Sequence, residues 1–419
     1  MKGFVLALVV LSVVMLTLPI AHAANTGNYV FDGSISREVL ENYLSRSDMY
    51  EYLSTDTASF EEGRRFIKNI QAKMVCRAAT DWGGAWGEIS GAYMSTCKNY
   101  NDILHRDDPQ LIIQCAILES INKTGRDWPV IPDWVCSAFG QSYTGRNFDY
   151  NLMIYADGKY VNHWGTDSSV PDISRVETQM WFYYRATEYI DAGFEAIHLG
   201  QMSLMGENDT NYTAWNTVIT KIRAYAALHA PRHYVLIDGT PDVNNPPIVS
   251  GKLLLDFILF PQRPTENVSE PQKAYLQMGR TGTIYGLSPG GTHPSGWTCT
   301  RSPYLLDFDH WANSSNPGTA GQGILYVWGY DETDWYARQP ESYRNYWLSY
   351  VTEWLQQNDP NGFLVMPGHD VISTQIYSGD SYYHANTASP ACPNGFNQEK
   401  TIKKIWGVET PVRKQVGHN

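Results

Sequence analysis

Beyond the apolar run at residues 4–20, this chain of 419 residues has no stretch long and uncharged enough to span a bilayer, which argues against a later membrane anchor. It is also short of positive charge. Its 31 Lys and Arg stand against 43 Asp and Glu, a net charge of −12, and the basic residues form no cluster. That balance excludes a nucleic-acid partner and favours a neutral or weakly charged one. No CxxC or Cys/His spacing suggests zinc. The serine-hydrolase elbow GxSxG is missing, as are the P-loop and a GxGxxG following a strand. An HxH pair on the first strand, the mark of one class of metal-dependent barrel, is missing too. No cofactor and no metal are expected. There is no fixed-period repeat or low-complexity linker, so one domain is the economical reading.

Lys2, the apolar run and Ala21-His22-Ala23 have the form of a secretory signal peptide with its small-x-small cleavage site. Residues 1–23 are set aside on that basis. Residues 24–419 are expected to be a single exported domain with an N-terminal helical lead-in. The six cysteines, Cys76, Cys97, Cys115, Cys136, Cys299 and Cys392, make an even count that favours disulfides in an exported protein. Cys76 and Cys115 fall within strand-like runs, where buried thiols are equally reasonable. Sequons at Asn122, Asn208, Asn211, Asn267 and Asn313 permit glycosylation. The 14 Trp and 28 Tyr supply flat apolar faces with polar edges, suited to stacking on sugars or to filling a large core.

The chain alternates helical and strand patterns. Residues 176–192 read as an amphipathic helix with Gly193 at its C-cap, handing over to a strand at 193–201 that turns polar at its end with His198 and Gln201. Helices are also expected over 36–52, 60–71, 94–105, 215–229 and 340–357. Further strands are expected at 72–79, 111–118, 233–238, 252–260, 283–287, 304–310 and 362–367. With the strand at 193–201 the count is eight. The continuous apolar character of 111–118 suits burial on both faces. The fold class is therefore α/β, a (β/α)8 TIM barrel with long βα loops. The segment 122–172, rich in Pro, Gly, Trp and Tyr, is long enough to carry a small subdomain. The segment 240–251 departs from the alternation, because it joins two strands without a helix.

Such a barrel collects its chemistry at the C-terminal ends of its strands. Carboxylates dominate the set found there, and two carboxyl groups flanking one bond are what glycoside hydrolysis requires. Asp238 ends the plain strand 233–238, and Gly239 lets the backbone turn away at once. Glu119 ends the strand 111–118. These two are expected to act as the acid and the nucleophile-or-base, in unassigned order, with Asp307 in reserve. His198 and Gln201 would hold sugar hydroxyls, and Arg77, Trp82, Asp256, Asp309 and Trp328 complete the expected substrate-binding set. Blander roles exist for each: Glu119 as a buried partner of Arg77, Asp256 as a helix cap, His198 as a core histidine, and Asp307 with Asp309 as calcium ligands.

The chain resembles a group of exported, largely uncharacterised bacterial-type proteins. Their sequences carry FDGSISREVLENYLSRS, WFYY, EAIHLGQ, PSGWTC and WGYDE, which stand here at Phe31, Trp181, Glu195, Pro294 and Trp328. The resemblance covers most of the chain after the leader and implies a TIM-barrel glycoside-hydrolase-like fold. The Asn-Glu pair of many retaining glycosidases and the DxxDxDxE of chitinase-like barrels are absent, so the resemblance assigns neither mechanism nor catalytic residues. The expected function is a secreted glycosidase acting on an extracellular polysaccharide or oligosaccharide. The alternatives are a non-catalytic carbohydrate-binding or matrix protein on the same scaffold, or a polysaccharide lyase using His198 or a tyrosine.

Overall fold

A computed structural model describes residues 27–408 except 85–87, 89, 124–127 and 280–283. The leader at 1–23 lies outside the described residues. Among the described residues, no helix is long and apolar enough to cross a membrane.

The fold is mixed α/β. The strands that carry it are β1 (Ser47–Tyr50), β2 (Met74–Asp81), β3 (Ile112–Ile117), β4 (Ala196–His198), β5 (Leu236–Asp238), β6 (Ile258–Leu259), β7 (Tyr304–Leu306), β8 (Gly362–Leu364), β9 (Met366–Val371) and β10 (Tyr382–His384). Strands β9, β1, β2, β3, β4 and β5 run parallel in one sheet, which β10 extends antiparallel along the outer side of β9. Strands β6, β7 and β8 form a second parallel sheet. Backbone hydrogen bonds also run between the two. The Asp256 and Leu259 amides donate to the carbonyls of Ile237 and Gly239 at 2.8 and 3.2 Å, and the Val365 amide donates to Leu306 at 2.9 Å. Strands β8 and β9 are separated by Val365 alone, so residues 362–371 pair with β7 at one end and with β1 at the other.

Every residue of β2 is buried, as a parallel strand covered on both faces must be. The helices are α1 (Arg37–Leu44), α2 (Phe60–Ile70), α3 (Gly91–Asp107), α4 (Val176–Asp191), α5 (Thr213–His229), α6 (Glu332–Ala337), α7 (Glu341–Asn358) and α8 (Glu399–Ile405). Met74 and Cys76 of β2 pack with residues of the neighbouring strands and α1 in one apolar cluster, and Val75, Ala78 and Ala79 in the other. Gly193, at φ +88°, occupies the left-handed position that stops α4, as its sequence position suggests. The segment after β3 folds on itself: residues 121–122 pair antiparallel with 168–169, and Asp133–Ala138 is a short helix.

Four expectations are corrected. The helix expected over 36–52 ends at Leu44, after which Ser47–Tyr50 is a fully buried strand. Of the stretch 252–260 only Ile258–Leu259 joins the main sheets, while Lys252–Leu253 belongs to a separate small one. Residues 284–287 form no strand, and 283 lies outside the described residues. All six cysteines are free. Five of them are buried and Cys299 is half-buried, and burial raises the Cys97 thiol to about 12.

Candidate active site

Two backbone irregularities shape the strand ends. In β2 the register with β3 jumps between Val75 and Ala79, so four steps of one strand face two of the other. Arg77 lies inside this bulge at φ +51°, a conformation rare for a residue with a side chain. The Gln114 side chain steadies it by accepting from the Arg77 amide at 3.1 Å. The buried Arg77 guanidinium is thereby placed 3.6 Å from Glu51 on one side and 3.6 Å from Asp307 on the other. The other irregularity is Gly200, at φ +58°. It returns the chain after β4 so that both the amide and the Nε2 of Gln201 donate to the Glu119 carboxylate, each at 2.9 Å.

Gln114 links two of these features. Its Nε2 donates to Asp238 Oδ1 at 2.7 Å, and the other Asp238 oxygen meets His198 Nδ1 at 2.7 Å. Asp238 is fully buried with both oxygens engaged, so it fixes the ring of His198 and leaves Nε2 as the nitrogen free of that pairing.

Asp307, Asp309 and His310 follow β7, and Asp370 lies in β9. Asp307 Oδ1 accepts its neighbour's amide from Phe308, whereas Oδ2 makes no hydrogen bond. Burial holds Asp307 well above the usual carboxylate range despite the pull of Arg77, and burial likewise raises Asp309. Glu51 is raised by burial against the pull of His310. For His310, burial works against the charged form, but the carboxylates of Glu51 and Asp370 outweigh it and keep the ring protonated up to about 10. The site is thus a set of carboxylates interleaved with two cations.

The structure brings together Glu119, Gln201, Arg77, Asp307 and Asp309, with the His198–Asp238 pair on the neighbouring strands. Arg77 pairs with Glu51 and Asp307 rather than with Glu119. Trp82 is half-buried and packs edge-on against Trp164 at 5.3 Å, and the Trp164 indole donates to the Glu119 carbonyl at 2.8 Å. Asp256 and Trp328 stand apart as scaffolding. Asp256 precedes β6 and accepts from Arg223, Tyr234 and the Ile237 amide. The Trp328 indole donates to the Lys273 carbonyl, and its amide to Glu266. The sequence reading missed Glu51, Gln114 and His310. Glu51 was hidden by the helix-like pattern that obscures β1. Its signal is a carboxylate directly after Ser47–Tyr50.

No family model matches the chain, and no curated protein matches it in sequence. Solved structures with some likeness include an α-galactosidase from Thermus thermophilus, at 10% identity and a TM-score of 0.33, over 53% of this chain and 44% of that one. A trehalose-6-phosphate hydrolase from Bacillus licheniformis gives 10% and 0.30, over 52% and 49%. A β-L-arabinopyranosidase from Geobacillus stearothermophilus gives 12% and 0.28, over 52% and 54%. These structure neighbours are glycoside hydrolases, and each overlap spans about half of either chain.

Proposed function

We propose that the chain is a secreted glycoside hydrolase built on an eight-stranded β/α barrel, cleaving glycosidic bonds of an extracellular polysaccharide. The barrel reading is supported by the backbone bonds that the Asp256 amide donates to Ile237 and the Val365 amide donates to Leu306, which link the two parallel sheets at both ends. The functional reading rests on one observation above all. Glu119 and Asp307, two carboxylates held in different environments, stand at strand ends with Arg77 and Asp309 between them.

In this reading Asp307, whose hold on its proton is strengthened by burial, gives that proton to the leaving oxygen. Glu119, oriented by two donors from Gln201, is the nucleophile or the base that activates water. Asp238, the other carboxylate expected from the sequence, has both oxygens engaged and orients His198 instead. His198 and Gln201 hold sugar hydroxyls, and the Trp82–Trp164 pair offers a stacking face beside Glu119. The carboxylate-rich site and the net charge of −12 favour a neutral glycan over a polyuronate.

The test is a broad polysaccharide panel read two ways: release of reducing ends, and retardation in affinity electrophoresis. Release of reducing ends from a neutral glycan supports the hydrolase. Retardation without release would favour a carbohydrate-binding protein, and an unsaturated product absorbing in the ultraviolet would favour a lyase.

A further inference from the structure

The proposed hydrolysis makes no use of Glu51, His310 or Asp370, yet these three converge more tightly than any other group of potential metal ligands among the described residues. One atom from each lies within 4.8 Å of the others. They come from three separate strands: Glu51 directly after β1, His310 after β7, and Asp370 from β9. Those are the strands that meet where the end of the sheet system returns to its beginning, for β9 pairs with β1 and its continuation β8 pairs with β7.

We propose that Glu51, His310 and Asp370 bind a divalent transition-metal ion, zinc or manganese, which ties the three strand ends together. The donor atoms are in place and incompletely used. Glu51 is 3% exposed, and its Oε2 makes no hydrogen bond, while Oε1 faces Arg77 at 3.6 Å. Asp370 is 1% exposed. Its Oδ2 accepts from the Thr333 hydroxyl at 3.0 Å, which fixes the carboxylate, and its Oδ1 makes no hydrogen bond and lies 3.1 Å from His310 Nδ1. A buried carboxylate oxygen left without a donor is costly, and a metal ion satisfies several at once.

Charge points the same way. The acidic side chains of Glu51, Asp307, Asp309 and Asp370 gather around the single guanidinium of Arg77, so the spot favours a further positive charge. One imidazole nitrogen with two carboxylates suits zinc or manganese, whereas calcium and magnesium prefer oxygen alone. The His310 side chain keeps 24% of its surface exposed, which leaves room for water to complete the coordination. This inference is independent of the glycosidase reading and stands or falls without it.

Chelator-stripped protein titrated with zinc or manganese chloride should bind one equivalent, with calcium and magnesium chloride binding far more weakly. Glu51→Gln and His310→Gln, each checked for its fold by circular dichroism, should weaken that binding by about 100-fold or more, since even outer-shell partners are worth 10–100-fold. X-ray absorption at the zinc edge of the wild-type protein should show one imidazole among oxygen ligands, a readout that does not depend on any variant folding. An equivalent bound with unchanged affinity in both folded variants would overturn the proposal. So would a wild-type spectrum without imidazole scattering, or no binding at millimolar metal.

Discussion

Gly200 carries more of the site than its size suggests. Its left-handed backbone lets Gln201 reach the Glu119 carboxylate, and a Cβ built there would lie 2.1 Å from Glu119 Oε2. Gly193 has the same backbone handedness, at φ +88°, but a Cβ there meets only Asn101 and His105 at ordinary distances. The two glycines therefore separate strain from function. Gly193→Ala and Gly200→Ala should both destabilise by about 1–3 kcal/mol, the usual cost of a side chain in a sparsely populated conformation. Only Gly200→Ala should also displace Glu119 and abolish turnover. Denaturant unfolding and activity measured on both variants check this, and equal activity in the two would remove Glu119 from the site. The sequence shows Glu119, because a carboxylate ending an apolar run stands out. It does not show Gln114, whose polar side chain in the middle of a strand has meaning only once the Arg77 bulge and Asp238 are seen on either side.

Short motifs divide between site and scaffold. EAIHLGQ supplies β4 with His198 and Gln201. PSGWTC builds a clamp on the opposite side of the sequence from its ends: the Trp297 indole donates to the Ile35 carbonyl, and the Ser295 hydroxyl accepts from the Ile35 amide. Next to it, His293 is buried, stacked on Trp297 at 3.9 Å, accepting from the Ser295 amide at Nδ1 and lying 3.3 Å from Asp256 at Nε2. Burial lowers its pKa to about 4, with Asp256 opposing and Arg223 assisting. The folded value lies below the ordinary imidazole value of 6.5, so between pH 6.5 and 4 the unfolded chain takes up a proton that the folded one refuses. Stability from this element is present above pH 6.5 and is lost as pH falls through that window. The melting-temperature advantage of the wild type over His293→Gln should be largest at pH 7 and shrink towards pH 4.5. A difference independent of pH would mean that the ring is not buried in its neutral form. None of this clamp is legible from periodicity, since its strands are two residues long and its contacts join residues about 260 positions apart.

At the scale of the molecule, α/β alternation is plain in the sequence where helices and strands are long, as in β2, β3, α4 and α5. It fails where tertiary pairing overrides local pattern. Ser47–Tyr50 continues a helical run and becomes a strand only because β2 and β9 flank it. Among the described residues between β5 and β7 there is no helix, and short antiparallel pairs take its place. The eighth expected strand proves longer than its apolar run, since β9 runs on to Val371 and His369 and Asp370 continue the pairing into polar sequence. The mixed α/β class was therefore open to sequence reasoning, whereas the carboxylate cluster around Arg77 was only half visible, because Glu51 directly follows the hidden strand. The central claim, that Glu119 and Asp307 form the hydrolytic pair, is tested most directly by turnover of Glu119→Gln and Asp307→Asn on a glycan that the wild type cleaves, with melting temperatures measured in parallel. Each amide should cut turnover by about 10² to 10⁴, the contribution of general acid–base catalysis, with the melting temperature of Glu119→Gln nearly unchanged. Full activity in either variant, or loss that only tracks unfolding, would contradict it.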